Sequence, residues 1–193
     1  MRILGINGSP NPDGNTVVLL NKALEAANKE GVETKLIHVN KALSELKVPF
    51  CRQCSSPCSK ACYEGTLLED YYKLLAEADG IIIGSPVYFG TVTAQLKAFW
   101  DMTRDLRTNK ALLNKIGATI TVGASRYGGQ ETTVSTLQDM MLIQGMIIVG
   151  DGSEDTDAGH QGACGQKPTI SDEAAHDRAS ILGKRVARLI KKV

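Results

Sequence analysis

Short apolar runs alternate with longer amphipathic stretches along almost the whole chain. Met1–Ile6, Thr34–Val39, Gly80–Gly84, Ala118–Gly123 and Met146–Val149 read as five buried strands, because each is largely apolar and too short for a helix. Thr16–Lys29, Thr66–Ala78, Thr93–Arg107 and Glu131–Gln144 carry apolar residues at helical spacing, and Ser171–Lys192 closes the chain in the same way. Strands separated by helices pair in parallel, since only a crossover returns the chain to the same sheet edge. The pattern predicts an α/β fold, a doubly wound five-stranded parallel sheet of order 2-1-3-4-5 with helices on both faces. Two stretches break the rhythm. Residues 40–64 form a cysteine-bearing insertion, and residues 150–170, rich in Gly, Asp and Ser, are expected to be loop. No repeat or linker divides the chain, so residues 1–193 are expected to form a single domain.

Charge narrows the choice of partners. Lys and Arg number 22 against 21 Asp and Glu, a net charge of +1, which argues against nucleic acid or an anionic membrane as the main partner. No stretch approaches the roughly 20 apolar residues that span a bilayer. MRILGINGSP has no signal-peptide pattern, so the expected location is the cytoplasm, where thiols stay reduced.

In such a sheet, ligands bind at the carboxyl ends of the strands. The first strand runs into Asn7–Thr16 (NGSPNPDGNT), a loop that opens a helix and offers amide groups and a dipole to an anion. Ser9, Asn15 and Thr16 add donors, and Gly8 and Gly14 allow close backbone approach. With no Lys or Arg, the loop suits one terminal phosphate held by neutral groups. It lacks the Gly-Lys-Ser/Thr ending of a P-loop and the G-x-G-x-x-G of a dinucleotide site. As an ordinary helix start it would have Asn15 or Thr16 as its cap. The third strand leads into Pro86-Val87-Tyr88-Phe89-Gly90, whose paired aromatics suit a flat ring or simply cover the sheet end. The fourth leads into Ser125-Arg126-Tyr127-Gly128-Gly129, whose amides suit the polar edge of that ring. Together the three loops point to flavin mononucleotide (FMN).

NGSPNPDGNT, SPVYFGTVTAQLKAFWD and GGQETTVSTLQDMMLIQGM together resemble the NADPH-dependent FMN reductase branch of flavodoxin-like proteins, and the segment beginning CRQC resembles its iron–sulfur flavoprotein members. The likeness runs from Met1 to about Val149. It implies an FMN phosphate at Ser9, Asn11, Gly14, Asn15 and Thr16. It places Pro86, Val87, Tyr88, Phe89 and Gly90 along the ribityl chain and ring, and Ser125, Arg126, Tyr127, Gly128 and Gly129 near the ring's polar edge. It also implies a homodimer or homotetramer, and NAD(P)H or a ferredoxin-like protein as electron donor.

Four of the five cysteines follow the spacing Cys51-x2-Cys54-x3-Cys58-x3-Cys62. Four thiolates this close can wrap a 4Fe–4S cluster. Zinc stands second, since zinc sites draw ligand pairs from separated segments, and an unligated loop stands third. The iron–sulfur members typically have two residues between the second and third cysteines and a longer last gap, so the spacing here departs from the resemblance and keeps zinc open. Cys164 reads as a bystander and Trp100 as a core or interface residue. His38 reads as a strand-end residue, His176 as a solvated helix position, and Asp151, Glu154, Asp155 and Asp157 as a solvated turn. No Ser/His/Asp or His-x3-His pattern is present, which fits chemistry carried by a cofactor rather than by a side-chain nucleophile or base. The functional expectation is an FMN-dependent redox protein that carries electrons through FMN and a 4Fe–4S cluster. A zinc-stabilised or metal-free NAD(P)H:FMN or quinone reductase and a flavodoxin-like carrier are the alternatives.

Overall fold

A computed structural model describes residues 1–192. In chain order the elements are β1 (Arg2–Asn7), α1 (Asn15–Lys29), β2 (Glu33–His38), α2 (Val39–Ser44), α3 (Leu67–Glu77), β3 (Gly80–Pro86), α4 (Ala94–Asp101), α5 (Arg104–Thr108), β4 (Ile116–Gly123), α6 (Gln130–Leu142), β5 (Ile147–Ile148), β6 (Ala163–Gln166) and α7 (Glu173–Ile190). The strands lie in the order β2-β1-β3-β4-β5, with β6 also on β4, and every ladder between named strands is parallel. This is the expected doubly wound, flavodoxin-like topology.

The strand alternation sorts side chains into two cores. Leu4, Ile6, Ile81 and Ile83 face α2–α6, where Leu68, Leu96 and Phe99 are fully buried against them. Ile3, Ile82, Ile116 and Ile120 face α1 and α7. Successive side chains in a strand point to opposite faces, so the Ile81-Ile82-Ile83 run serves both layers. Trp100 belongs to the first core, buried with its indole N–H donated to the Met140 carbonyl at 2.8 Å.

Two elements differ from the periodicity. The helix expected over Thr93–Arg107 is two, α4 and α5, because the Thr103 hydroxyl takes the Trp100 carbonyl at 2.6 Å and also receives the Gln144 amide at 2.8 Å. The fifth strand is split. β5 holds only Ile147–Ile148 beside Ile116 and Gly117, and β6, inside the expected loop of residues 150–170, resumes beside Ile120–Gly123. The intervening excursion is pinched at its neck, where the Asp151 N–H donates to the His160 carbonyl at 3.2 Å and the His160 N–H donates to the Asp151 carboxylate. Asp151 is therefore fully buried, not part of a solvated turn. His176, also expected in solvent, is half-buried with its Nε2 2.7 Å from the Thr169 carbonyl. None of the helices among the described residues is long and apolar enough to cross a membrane.

Candidate functional site

Asn7, the last residue of β1, is fully buried and uses every hydrogen-bonding group of its amide. Its Oδ1 accepts the Ser9 N–H at 3.0 Å, while its Nδ2 donates to the Asn11 carbonyl at 3.3 Å and to His38 Nδ1 at 3.1 Å. The loop then turns on its own side chains: Ser9 Oγ accepts the Asn11 N–H at 3.1 Å and Asn11 Oδ1 accepts the Asp13 N–H at 2.9 Å. Gly8 fixes the loop to β3 by donating to the Gly84 carbonyl at 2.8 Å. A side chain at Gly8 would collide with that carbonyl and with Leu96, which explains the glycine.

Gly14 is the N-cap of α1, in extended conformation and with no side-chain cap bond, so neither Asn15 nor Thr16 serves as the cap. The first amide of this turn to find an acceptor is that of Val17, which donates to Gly14 at 3.0 Å. Among the described residues the N–H groups of Gly14, Asn15 and Thr16 have no protein acceptor. Three free amides at a helix amino terminus form an anion cradle. The Asn15 side chain is shared, since its Oδ1 accepts the Thr169 N–H at 2.8 Å while its Nδ2 is left to donate elsewhere. Its oxygen therefore ties the loop to the segment before α7. Thr16 is buried, with its methyl group beside Gly84.

The second loop is a tight hairpin. Tyr88 and Thr91 exchange backbone hydrogen bonds of 2.9 and 3.2 Å around Phe89 and Gly90, whose φ angles are +49° and +82°. A non-glycine residue at positive φ is strained, and here the turn thrusts Phe89 fully into solvent. Pro86 closes β3, and the Val87 N–H donates to the Val122 carbonyl at 2.9 Å. In the third loop Gln130 Nε2 donates to the Ser125 carbonyl at 2.8 Å, and Gly128 packs too closely on that carbonyl to carry a side chain. Gly129, with φ +92°, caps α6. Tyr127 is also exposed and at positive φ, and the Arg126 guanidinium lies 5.0 Å from its ring centre. Gly129 abuts Val87 and Gly90, which joins the second and third loops, while Thr93 joins the second to the first. The Thr93 hydroxyl donates to the Gly8 carbonyl at 2.6 Å and accepts the Leu96 N–H at 3.1 Å as the cap of α4.

The structure thus brings the three expected loops to one carboxyl edge. Asn7, His38, Thr93 and Gln130 were not among the expected site residues. Thr93 alone left a local signal, a hydroxyl residue opening an apolar helix.

The cysteine segment lies elsewhere. Cys51 and Cys58 are half-buried, Cys54 and Cys62 exposed, and all four are free thiols. Burial, followed by the neighbouring Cys58 and Cys54, pushes the Cys62 thiol up, so these sulfurs lie within electrostatic reach of one another. They are nevertheless not gathered, since among the described residues no three His, Cys, Asp or Glu side chains converge on a metal position. Cys58 shares a cavity with Leu113, Gln144 and Gly145, residues that precede the amino ends of β4 and β5. In a parallel sheet that is the edge opposite the three loops. Cys164, in β6, is held apart from these four and receives a 3.5 Å contact from the Thr121 hydroxyl.

Residues 1–158 match the family model described as NADPH-dependent FMN reductase. The chain is 41% identical over 198 residues to a protein of Methanocaldococcus jannaschii named iron-sulfur flavoprotein, covering 99% of this chain and 98% of that one. It is 36% identical over 192 residues to an iron-sulfur flavoprotein of Methanosarcina thermophila, covering 98% and 95% of the two chains. Among solved structures, a flavodoxin, WrbA-like protein of Agrobacterium tumefaciens superposes with a TM-score of 0.72 at 19% identity, covering 99% of this chain and 97% of that one. With the parallel sheet and the loops at its carboxyl edge, these likenesses show that the chain belongs to the NADPH-dependent FMN reductase family.

Proposed function

We propose that the protein is an FMN-dependent oxidoreductase that moves electrons between NAD(P)H or a ferredoxin-like donor and an acceptor, using FMN and a 4Fe–4S cluster. The observation that carries this reading is the cradle of free amides at Gly14, Asn15 and Thr16, set at one sheet edge with two loops that present exposed aromatics. Bound FMN supplies hydride acceptance and single-electron transfer. The chain's own groups bind and orient it. The α1 terminus and the hydroxyl of Ser9, with Asn11 beside them, suit the phosphate. Pro86, Val87, Tyr88, Phe89 and Gly90 suit the ribityl chain and ring, and the Ser125–Gly129 loop its polar edge. Arg126 suits negative charge on the reduced ring. Phe89 and Tyr127 expose apolar surface beside this site, which supports a homodimer or homotetramer in which a second copy covers them.

The four-thiol donor set fits an iron–sulfur cluster in chemistry and number, and the irregular, partly exposed segment leaves the sulfurs able to draw together. The names of the two full-length relatives support iron. The ungathered sulfurs favour a second reading, a zinc-stabilised or metal-free NAD(P)H:FMN or quinone reductase. Absorption spectra and metal analysis of protein purified without oxygen decide between them. Flavin bands over a broad cluster absorption, with about four irons per chain, support the first. Flavin with zinc or no metal supports the second, and protein that cannot be loaded with FMN overturns both.

A further inference from the structure

Thr169 lies between β6 and α7, 154 residues from Asn15, and is fully buried where the two meet. Its N–H donates to Asn15 Oδ1 at 2.8 Å. Its hydroxyl, 3.0 Å from the Asn15 carbonyl and 3.1 Å from Oδ1, shares one proton between those two acceptors. Thr169 is itself held from behind. His176 Nε2 donates to its carbonyl at 2.7 Å, and the Asp172 N–H donates to the same carbonyl at 3.2 Å. The Asp172 carboxylate in turn takes the Gln166 N–H at 2.8 Å and the Ala175 N–H at 3.1 Å. The end of β6 and the first turn of α7 thus fix Thr169, and Thr169 fixes Asn15.

The chemistry of these donors sets which way the Asn15 amide lies. An N–H can only donate, so the amide atom that faces it is the oxygen, and the hydroxyl proton favours the same choice. The nitrogen is thereby left free. Among the described residues Nδ2 has no protein acceptor, and it reaches solvent. Asn15 is also the first residue of α1, and its own N–H is one of the three free amides at that terminus. One residue therefore carries two open donors at the cradle, one from the main chain and one from the side chain.

We propose that Thr169 is the positioning residue of the phosphate cradle. It holds Asn15 so that Nδ2 joins the amides of Gly14, Asn15 and Thr16 as a fourth neutral donor, and so sets the preference for FMN over unphosphorylated riboflavin. The proposal rests on the FMN reading of the three loops. A phosphate dianion needs several donors at once, and the Asn7–Thr16 loop has no Lys or Arg among them. A loose Asn15 amide would lose rotamer freedom on binding, and could equally turn its oxygen toward the phosphate and repel it. With Oδ1 taken by two donors of Thr169, the nitrogen is the group left to the ligand. The effect is confined to the phosphate end, because Thr169 makes its hydrogen bonds to the first loop and not to the loops set against the ring.

The test titrates FMN and riboflavin separately into the flavin-free full chain and reads the ratio of their Kd values. Thr169→Val keeps the shape and the N–H but loses the hydroxyl, and Thr169→Ala is a second form of the same loss. Each is expected to weaken FMN about fivefold while riboflavin stays within about twofold of the parent. Thr169→Ser, which restores the hydroxyl, is expected to recover the parent ratio. Asn15→Asp keeps acceptors for Thr169 and suits the helix terminus, yet sets a negative oxygen at the cradle. It is expected to weaken FMN at least about tenfold, again with little change for riboflavin. In an Asn15→Ala background, Thr169→Val is expected to have no further effect on the ratio. Equal weakening of both flavins by Thr169→Val, a ratio that ignores it, or an undiminished effect in the Asn15→Ala background overturns the proposal. If the parent binds FMN tightly while one of these results is found, the FMN reading stands and the role of Thr169 falls. A parent that binds neither flavin removes both, and one that binds the two equally removes the phosphate preference on which Thr169 acts.

Discussion

The side chains of Asn7 and His38, at the carboxyl ends of two adjacent parallel strands, meet at 3.1 Å beneath the loop that opens α1. Asn7 Oδ1 is committed to the Ser9 N–H, so Nδ2 faces His38 and Nδ1 of the imidazole is the acceptor. Burial, with Lys41 adding to it and Asp13 opposing, holds the imidazole below its ordinary value of 6.5. Tyr71 packs from α3 against the His38 backbone. A depressed histidine contributes stability that is complete above its unfolded value and is lost as pH falls through its lower folded value. Protonated Nδ1 no longer accepts from Asn7.

The Kd for FMN is therefore expected to be flat above neutrality and to rise, by about tenfold in all, as pH falls below the ordinary imidazole value of 6.5, the worth of one buried hydrogen bond. His38→Gln, which keeps an acceptor without the titration, is expected to flatten the profile. A variant profile that matches the parent's removes His38 as the cause.

Phe89 pairs full exposure with a φ of +49°. Phe89→Gly is expected to raise unfolding stability by up to about 1 kcal/mol, because glycine adopts this conformation freely. The same change is expected to weaken FMN binding about tenfold through loss of ring contact. Denaturant titration and flavin fluorescence quenching measure the two effects separately. Unchanged FMN affinity would show that the strained aromatic does not serve the flavin.

Thr93 joins the first two loops through the Gly8 carbonyl and caps α4 through the Leu96 N–H. Thr93→Val keeps the shape and loses both bonds. It is expected to cost about 1–2 kcal/mol in chemical denaturation and to loosen FMN as the first loop drifts. Thr93→Ser, which restores the hydroxyl, is expected to recover most of both.

Cys54 and Cys62 are exposed and belong to a segment that reaches the edge opposite the flavin loops. Cys54→Ser and Cys62→Ser are each expected to lose most of the iron, by metal analysis, while FMN content stays within about twofold of the parent. Loss of FMN in step with iron would contradict the separation of the two sites.

Much of this architecture was legible locally. An Ile81-Ile82-Ile83 run has to lie between two apolar layers, and strands interrupted by amphipathic helices have to pair in parallel, so the parallel sheet and the loops at its carboxyl edge follow from periodicity, and five strands in this length fit the observed order. The four thiols were visible as a donor set for the same reason, since their spacing is a property of one short segment. Tertiary structure decided what depends on distant partners. Ala163–Gln166 has little strand character of its own and becomes β6 because β4 offers an open ladder beyond Gly117. The helix breaks at Met102–Thr103 because Gln144 and Trp100 hold Thr103. Asn15 turns to Thr169, Asp151 is buried at a loop neck, and His38 reaches Asn7, each across a separation that no local pattern encodes. Only the parallel sheet itself, with all its amino ends on one side, sets Cys58 and the flavin loops at opposite edges of the protein.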